Sequence, residues 1–265
     1  MLVSRPDIPI YEEVTQSVDT IIIGKKIIYF KEINSTNLYA KKILKEKKED
    51  IEEGTIVISD IQKSGRGRKN RSWSSPMGGL WFSIILYPNI PPQNMMLITM
   101  ASSISVAQGI FQVTGLKPEI KWPNDILINK KKVCGILTEL DAEIDKVNYS
   151  IIGIGINVNN EIDDSLKHIA ISLKKVLGEY VSRVNLLQSI IKNFDKNYIT
   201  ILHNNYKKIR DLWFYYSNII GKKVKVSDEK SIYIGLVKDV DENGLLILDI
   251  KGQIKKIISG DLIYI

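Results

Sequence analysis

The chain has 265 residues, 44% of them hydrophobic and 25% charged, enough for one large core plus a small satellite domain. Its net charge of +7 permits an acidic partner such as a nucleotide, a nucleic acid or an acidic protein, and does not choose among them. A single cysteine, Cys134, excludes an internal disulfide and reads as a small buried hydrophobe, and two histidines, His168 and His203, argue against a histidine zinc site or a Ser-His-Asp triad. No stretch reaches the ~18 consecutive apolar residues of a membrane span, and no signal-peptide core opens the chain. The expectation is a soluble, cytoplasmic protein with no membrane partner.

In chain order, residues 1–26 read as an arm with a short amphipathic centre at 11–18. About 26 residues are too few for a three-helix DNA-binding unit, so no DNA-binding domain is expected. Residues 26–32 read as a strand that runs through Ser35-Thr36-Asn37 into a helix carrying Ala40, Ile43 and Leu44 at helical spacing. The three polar residues therefore fall at a strand-to-helix junction. There they either cap the helix or offer hydroxyl and amide groups to a small ligand. Residues 45–53 read as a solvated helix end and loop.

Strand-like runs at 55–59 and 80–86 bracket a loop of about twenty residues, a length that is usually functional or disordered. Its segment SGRGRKNRSWSSPMGG, with the preceding lysine, places Lys63, Arg66, Arg68, Lys69 and Arg71 among Gly65 and Gly67. Glycines let backbone N–H groups approach a ligand, and arginines supply bidentate donors for carboxylate and phosphate. The loop reads either as a fold-over anion clamp or as a solvated basic segment.

A helix over 93–114, apolar on every side, is expected to pack on a sheet. Short extended pieces flank Trp122-Pro123, and Asn129-Lys130-Lys131-Lys132 turns into a return strand at 133–140, then a further hairpin to 158. Strands in antiparallel succession indicate an α+β sheet rather than a doubly wound one. Ile152-Gly153-Ile154-Gly155-Ile156-Asn157 lacks the third glycine and the helix of a dinucleotide fingerprint, and its glycines suggest close approach of a ligand or backbone. A short helix at 172–177, a longer one capped by Ser182 and reaching about 206, and an aromatic segment at 206–217 follow. From 221 to 265 short strands, with a turn at Asp241-Glu242-Asn243-Gly244, make a small barrel that must dock on the rest.

Three separated stretches then agree. Ser35-Thr36-Asn37, the GRGR loop with Arg71 and Trp73, and Lys121-Trp122-Pro123-Asn124-Asp125 with Lys132 and Gly135 together resemble the biotin protein ligases. Gln62 and the Gly153–Asn157 strand fall in the same order. The resemblance spans residues 27–265. It implies a mixed, largely antiparallel sheet packed with helices, of the kind shared with class II aminoacyl-tRNA synthetases, plus a C-terminal SH3-like β-barrel. The division expected is an arm at 1–26, a catalytic domain at 27–220 and the barrel at 221–265.

The same resemblance implies the chemistry. Biotin and ATP become biotinoyl-5′-AMP with release of pyrophosphate, and the biotinoyl group passes to one lysine of a biotin carboxyl carrier protein. The first step brings a carboxylate against a triphosphate, so cations must neutralise and align them. By resemblance, Gly65, Arg66, Gly67 and Arg68 contact biotin and the adenylate, and the loop, with little to hold it beforehand, orders when they do. Lys132 stabilises charge at the reacting centre, and Asp125 receives the acceptor lysine. Ser35, Thr36, Asn37 and Gln62 bond the biotin head group. Trp73, Lys121, Trp122, Asn124 and Asn157 complete the ligand contacts, with Trp122 as an apolar wall or a core residue. Gly135, Gly153 and Gly155 let the ligand lie against the sheet. Mg²⁺ accompanies ATP, with no protein metal site, and a homodimer is expected.

Family members often carry glycine where this chain has Asn70, a residue that tolerates left-handed backbone better than most. Two other classes compete. A lipoate ligase shares the fold but is not expected to carry both the GRGR and KWPND motifs. A nucleic-acid-binding module explains the basic loop and the small barrel but leaves KWPND, with a lysine seven residues on, without a purpose.

Overall fold

The structure, a computed structural model, describes residues 19–46, 51–228 and 231–265. The amphipathic centre expected at 11–18 lies outside the described residues, as does the middle of the charged run at 45–53. Strand β1 (Ile27–Ile33), helix α1 (Thr36–Glu46) and strand β2 (Ile56–Gln62) form a crossover unit, so β1 and β2 pair in parallel. Strand β3 (Leu80–Leu86) is buried at every position, as its sequence, apolar except for Ser83, requires of a strand covered on both faces. Helix α2 (Met95–Thr114) follows a 3₁₀ turn at Pro92–Asn94 and ends on left-handed Gly115. Strands β4 (Glu119–Lys121), β5 (Asp125–Ile128), β6 (Lys131–Ala142) and β7 (Val147–Ile156) then complete a seven-stranded sheet in the order β1-β2-β3-β7-β6-β5-β4. Apart from β1–β2, its neighbours run antiparallel.

Three helices follow: α3 (Leu173–Leu177), α4 (Arg183–Leu202) and α5 (Tyr206–Ser217). The Ser182 hydroxyl accepts from the Asn185 N–H at 3.2 Å, as a helix cap should. The helix expected from 182 to about 206 stops at Leu202, and the aromatic segment expected at 206–217 is a separate helix. Asn204 takes a left-handed φ of 58°, which stops α4, and the Asn205 side chain caps α5.

The sheet separates two apolar layers. On one face Ile56, Ile58, Phe82, Ile84, Ile152 and Ile154 meet α2 and α4. The segment Pro92–Thr114 is apolar and long enough to cross a membrane by length and composition, yet 72% of its most apolar window is buried within the protein. On the other face Val57, Ile85 and Ile151 pack under Ala40, Tyr39, Ile43 and Leu44 of α1. Helix α1 covers only part of this face. Beyond it, the same rows continue as Gly153 opposite Ser83 and Leu137, then Gly155 opposite Trp81 and Gly135. Period-two alternation thus leaves a stretch of sheet nearly bare of side chains beside the start of α1.

Strands β8 (Lys223–Ser227), β9 (Ile232–Val240), β10 (Leu246–Ile250), β11 (Gln253–Ile257) and β12 (Asp261–Tyr264) form an all-antiparallel five-stranded sheet, as expected for an SH3-like barrel. Its turn at Gly244, with φ 86°, inserts against α2, where an added Cβ would lie 2.6 Å from Met96 Cγ and 3.0 Å from Met100 Sδ. The Gly244 carbonyl accepts from the Trp122 indole at 3.4 Å, and Arg210 of α5 donates to the Val240 carbonyl at 2.7 Å. At the other end of the chain, the Asp195 carboxylate accepts from the N–H groups of Ile21, Ile22 and Ile23 at 2.8, 2.8 and 2.9 Å. The described end of the expected arm is therefore fastened to α4.

Candidate functional site

A cavity of about 520 Å³ opens over the bare part of the sheet. At one end, the start of α1 lowers Asn37 onto Gly153, whose hydrogen stands where a Cβ would collide with the Asn37 carboxamide. A continuous hydrogen-bonded set fixes this end. Asn37 Nδ2 donates to Glu139 Oε2 at 2.9 Å, while Ser83 Oγ lies 2.5 Å from Asn37 Oδ1 and 2.7 Å from Thr36 Oγ1. The Thr36 N–H donates to Gln62 Oε1 at 2.9 Å, and Gln62 Nε2 donates to Ser75 Oγ at 2.9 Å. Ser75 Oγ in turn donates to the Trp73 carbonyl at 3.1 Å, which joins this end to the basic loop. Ser35 Oγ is a weak cap for the Leu38 N–H at 3.4 Å, so the junction does cap the helix, and its three residues also line the cavity.

The centre of the cavity is charged. Asp125 and Lys132 lie on paired strands β5 and β6, and Lys132 Nζ bonds Asp125 Oδ1 at 2.6 Å. Their side chains are 24% and 30% exposed, enough shelter to strengthen the pair while leaving both accessible from the cavity. Lys132 Nζ also lies 5.0 Å from the Trp73 ring centroid, within cation–π range. The Trp73 indole rests on Gly155, where a side chain would strike its Nε1, and beside Gly135, where a Cβ would sit 3.1 Å from both Trp73 and Lys132. Its Nε1 is buried and finds no hydrogen-bond partner among the described residues. Asn124 Nδ2 donates to the Ile136 carbonyl at 2.6 Å, which aims Asn124 Oδ1 at Arg68 Nη1, 3.0 Å away. Burial pulls the Arg68 guanidinium below its usual pKa, against the opposing fields of Asp261 and Asp125.

The remaining wall comes from the segment after β7. The Lys132 N–H donates to the Ile169 carbonyl at 2.8 Å and the Ile171 N–H to the Lys132 carbonyl at 3.0 Å. Ile162, Leu166, Ile169 and Ala170 thereby reach the cavity together with Leu127, giving it an apolar side away from the polar end. Asn157, buried at the base of this segment, accepts from Asn160 Nδ2 at 3.1 Å.

The Biotin/lipoate A/B protein ligase family matches residues 29–157, and the biotin protein ligase C-terminal domain matches residues 219–263. The "Bifunctional ligase/repressor BirA" of Bacillus subtilis is 38% identical over 265 residues, covering 98% of this chain and 81% of that protein. The chain belongs to the biotin protein ligase family. A biotin–[acetyl-CoA-carboxylase] ligase of Mycobacterium tuberculosis is 24% identical, with 80% of each chain covered. A biotin protein ligase from Aquifex aeolicus, solved in complex with biotin and ATP, superposes with a TM-score of 0.78 at 30% identity, covering 91% of this chain and 98% of that one.

Of the site residues expected for a biotin protein ligase, Ser35, Thr36, Asn37, Gln62, Arg66, Gly67, Arg68, Trp73, Lys121, Asn124, Asp125, Lys132, Gly135, Gly153, Gly155 and Asn157 all line the cavity. Two do not. Trp122 is 1% exposed and belongs to the core, with its indole turned to the barrel, so it is no wall for a ligand. Gly65 sits behind the loop, where a Cβ would strike the Trp73 carbonyl and approach Ser75 Oγ to 2.6 Å, so its contribution is space. The loop was expected to have little to hold it. Arg66 fits that, with an exposed bond to Asn70 at 3.3 Å, but Lys69 and Arg71 pair with Asp261 of the barrel at 3.2 and 2.6 Å. Sequence reasoning also missed Ser83, Glu139, the 160–170 wall and Asp261. Only Ser83 carried a signal, as the one polar residue in an otherwise apolar strand.

Proposed function

We propose that this ligase joins biotin to ATP and transfers biotin to a lysine of a biotin carboxyl carrier protein, using the cavity above β6 and β7. The observation that carries the reading is the meeting of Arg68, Asn124, Lys132 and Asp125 at the centre of one cavity, between a polar end and an apolar side. Biotin fits with its ureido ring among Ser35, Thr36, Asn37 and Gln62, and its valeryl chain along the glycine floor. The base of ATP fits the apolar side formed by Ile162, Leu166 and Ala170 with Trp73. The biotin carboxylate then attacks the α-phosphorus, the bond to pyrophosphate breaks, and pyrophosphate leaves. Lys132 and Arg68 stabilise the charge gathered there, and Mg²⁺ enters bound to the ATP phosphates. In the second step the acceptor lysine's amine attacks the acyl carbon and AMP departs. Asp125 orients the incoming ammonium and takes its proton.

We further assign residues 27–220 to the catalytic domain and 221–265 to the barrel, and place the enzyme in the cytoplasm as a homodimer. Mass spectrometry of a carrier domain incubated with the protein, biotin and Mg-ATP tests the activity, with the biotinoyl mass increment on one lysine as the expected result. Labelling with lipoate at a rate equal to or above that with biotin would overturn the substrate assignment.

A further inference from the structure

The barrel carries none of the residues expected at the reacting centre, yet Asp261 lines the cavity. It opens β12 and faces the basic loop. Arg71 Nη2 donates to Asp261 Oδ1 at 2.6 Å, and Lys69 Nζ donates to Asp261 Oδ2 at 3.2 Å and to the Ser227 carbonyl at 3.3 Å. Arg68, which holds Asn124 at the centre, also reaches the Gly260 carbonyl at 3.4 Å. Burial raises the Asp261 pKa, but the bonds from Arg71 and Lys69 outweigh it and hold the carboxyl below its usual range.

The loop segment that these contacts hold is conformationally demanding. Lys69 has φ 54° and ψ 39°, and Asn70 has φ 57°. Two consecutive non-glycine residues thus occupy left-handed backbone, which L side chains adopt at a steric cost. Such a turn persists where its surroundings over-determine it. Here the surroundings are the barrel: one carboxylate grips the residues on either side of Asn70.

We propose that Asp261 is a positioning residue for the nucleotide step: by pairing with Lys69 and Arg71 it locks the left-handed turn, and the locked turn holds Arg68 against Asn124 at the cavity centre. The proposal rests on the ligase reading for its substrate, ATP, and it gives the barrel a share in the nucleotide site. It also reverses a simple electrostatic expectation. A carboxylate beside a triphosphate site repels the nucleotide, so a purely Coulombic role predicts tighter ATP use when Asp261 is removed. The positioning role predicts weaker use.

The test compares wild type, Asp261→Ala, Asp261→Glu, a Lys69→Ala/Arg71→Ala variant and the triple variant. For Asp261→Ala the expected result is a KM for ATP raised about tenfold with the KM for biotin within about twofold, because an interaction used only toward one substrate shifts that constant alone. Asp261→Glu restores the wild-type value. The triple variant is no worse than Lys69→Ala/Arg71→Ala, since Asp261 acts through those two residues. Trypsin, applied without substrates, cuts the loop faster in Asp261→Ala than in wild type. That readout stands apart from the ligase assignment, which wild-type turnover scores separately. An unchanged or lowered KM for ATP, equal rises in both constants, an additive loss in the triple variant or unaltered trypsin cleavage would overturn the proposal. A melting curve accompanies each variant, and the loop-side double variant, which leaves the barrel sequence intact, repeats the test if Asp261→Ala melts early.

Discussion

Lys132 and Asp125 touch, so their substitutions must not behave independently. Replacing Lys132 by alanine removes a preorganised cation from the place where carboxylate and phosphate meet. Losing one such donor costs about 3–4 kcal/mol, or roughly 10²–10³ in adenylation rate. A second loss comes with it, because the 2.6 Å pair is gone and the Asp125 carboxylate now faces two anionic substrates alone. At an effective dielectric near 20, unit charges about 4–6 Å apart repel by roughly 3–4 kcal/mol, and solvent reaching the half-sheltered site reduces this to about a third. Removing Asp125 as well therefore relieves roughly 1 kcal/mol. The Lys132→Ala/Asp125→Ala variant should form adenylate some five- to tenfold faster than Lys132→Ala alone, though still far below wild type. Asp125→Ala alone should leave adenylation within about tenfold of wild type and slow transfer to the carrier by ~10² or more, as loss of a general base does. Single-turnover measurements that follow pyrophosphate release and carrier labelling separately, with a melting curve for each protein, supply both rates. A double variant no faster than Lys132→Ala, or a stable Asp125→Ala protein as deficient in adenylation as Lys132→Ala, would refute this division of labour.

Three further outcomes follow from the geometry. In Gly153→Ala the new methyl displaces the Asn37 carboxamide and breaks its bonds to Ser83 and Glu139, so the KM for biotin should rise at least ~10-fold and stability fall by about 2–3 kcal/mol in urea titration. Arg183→Ala removes the cation paired with Asp60, which is 0% exposed at 3.0 Å from the guanidinium and also accepts from the Tyr29 hydroxyl at 2.6 Å, and should cost about 3–5 kcal/mol by the same titration with little change in either KM. The Tyr264 hydroxyl is buried with no hydrogen-bond partner found among the described residues, so Tyr264→Phe should leave the melting temperature at neutral pH unchanged or higher. Burial and the charge of Glu119 push the Tyr264 pKa up to about 12 from 10.0. Its contribution is therefore complete below pH 10 and lost as pH rises towards 12, and Tyr264→Phe should flatten the alkaline fall in stability over that window.

The elements whose residues act locally were legible in the sequence. Ser35-Thr36-Asn37 combined capping side chains with a helical period, and the structure opens α1 there. The glycines of β7 signalled close approach, and Asn37 and Trp73 are what approach. What was not legible depends on contacts between distant segments. Trp122 read as a ligand wall or a core residue, and only the fold decides between them, by turning its indole into the core. Residues 160–170 show no periodicity, and they become a wall only because their backbone pairs with Lys132. Asp261 is an ordinary strand-opening aspartate until the barrel brings it to the loop. The end of α4 was missed because two asparagines, not a glycine or proline, interrupt an otherwise continuous apolar stripe.

The Gly244 turn gives the KWPND motif a second audience. Its tryptophan speaks to the barrel through one indole–carbonyl bond, while the asparagine and aspartate two and three residues on face the cavity. A chimera that exchanges the barrel with one from a relative must therefore match the incoming turn to Trp122, Met96 and Met100. A bulkier residue at 244 would press on Met96 and Met100 and shift the carbonyl that accepts from Trp122, two residues before Asn124, so a graft is to be judged by the chemistry as well as by its own folding.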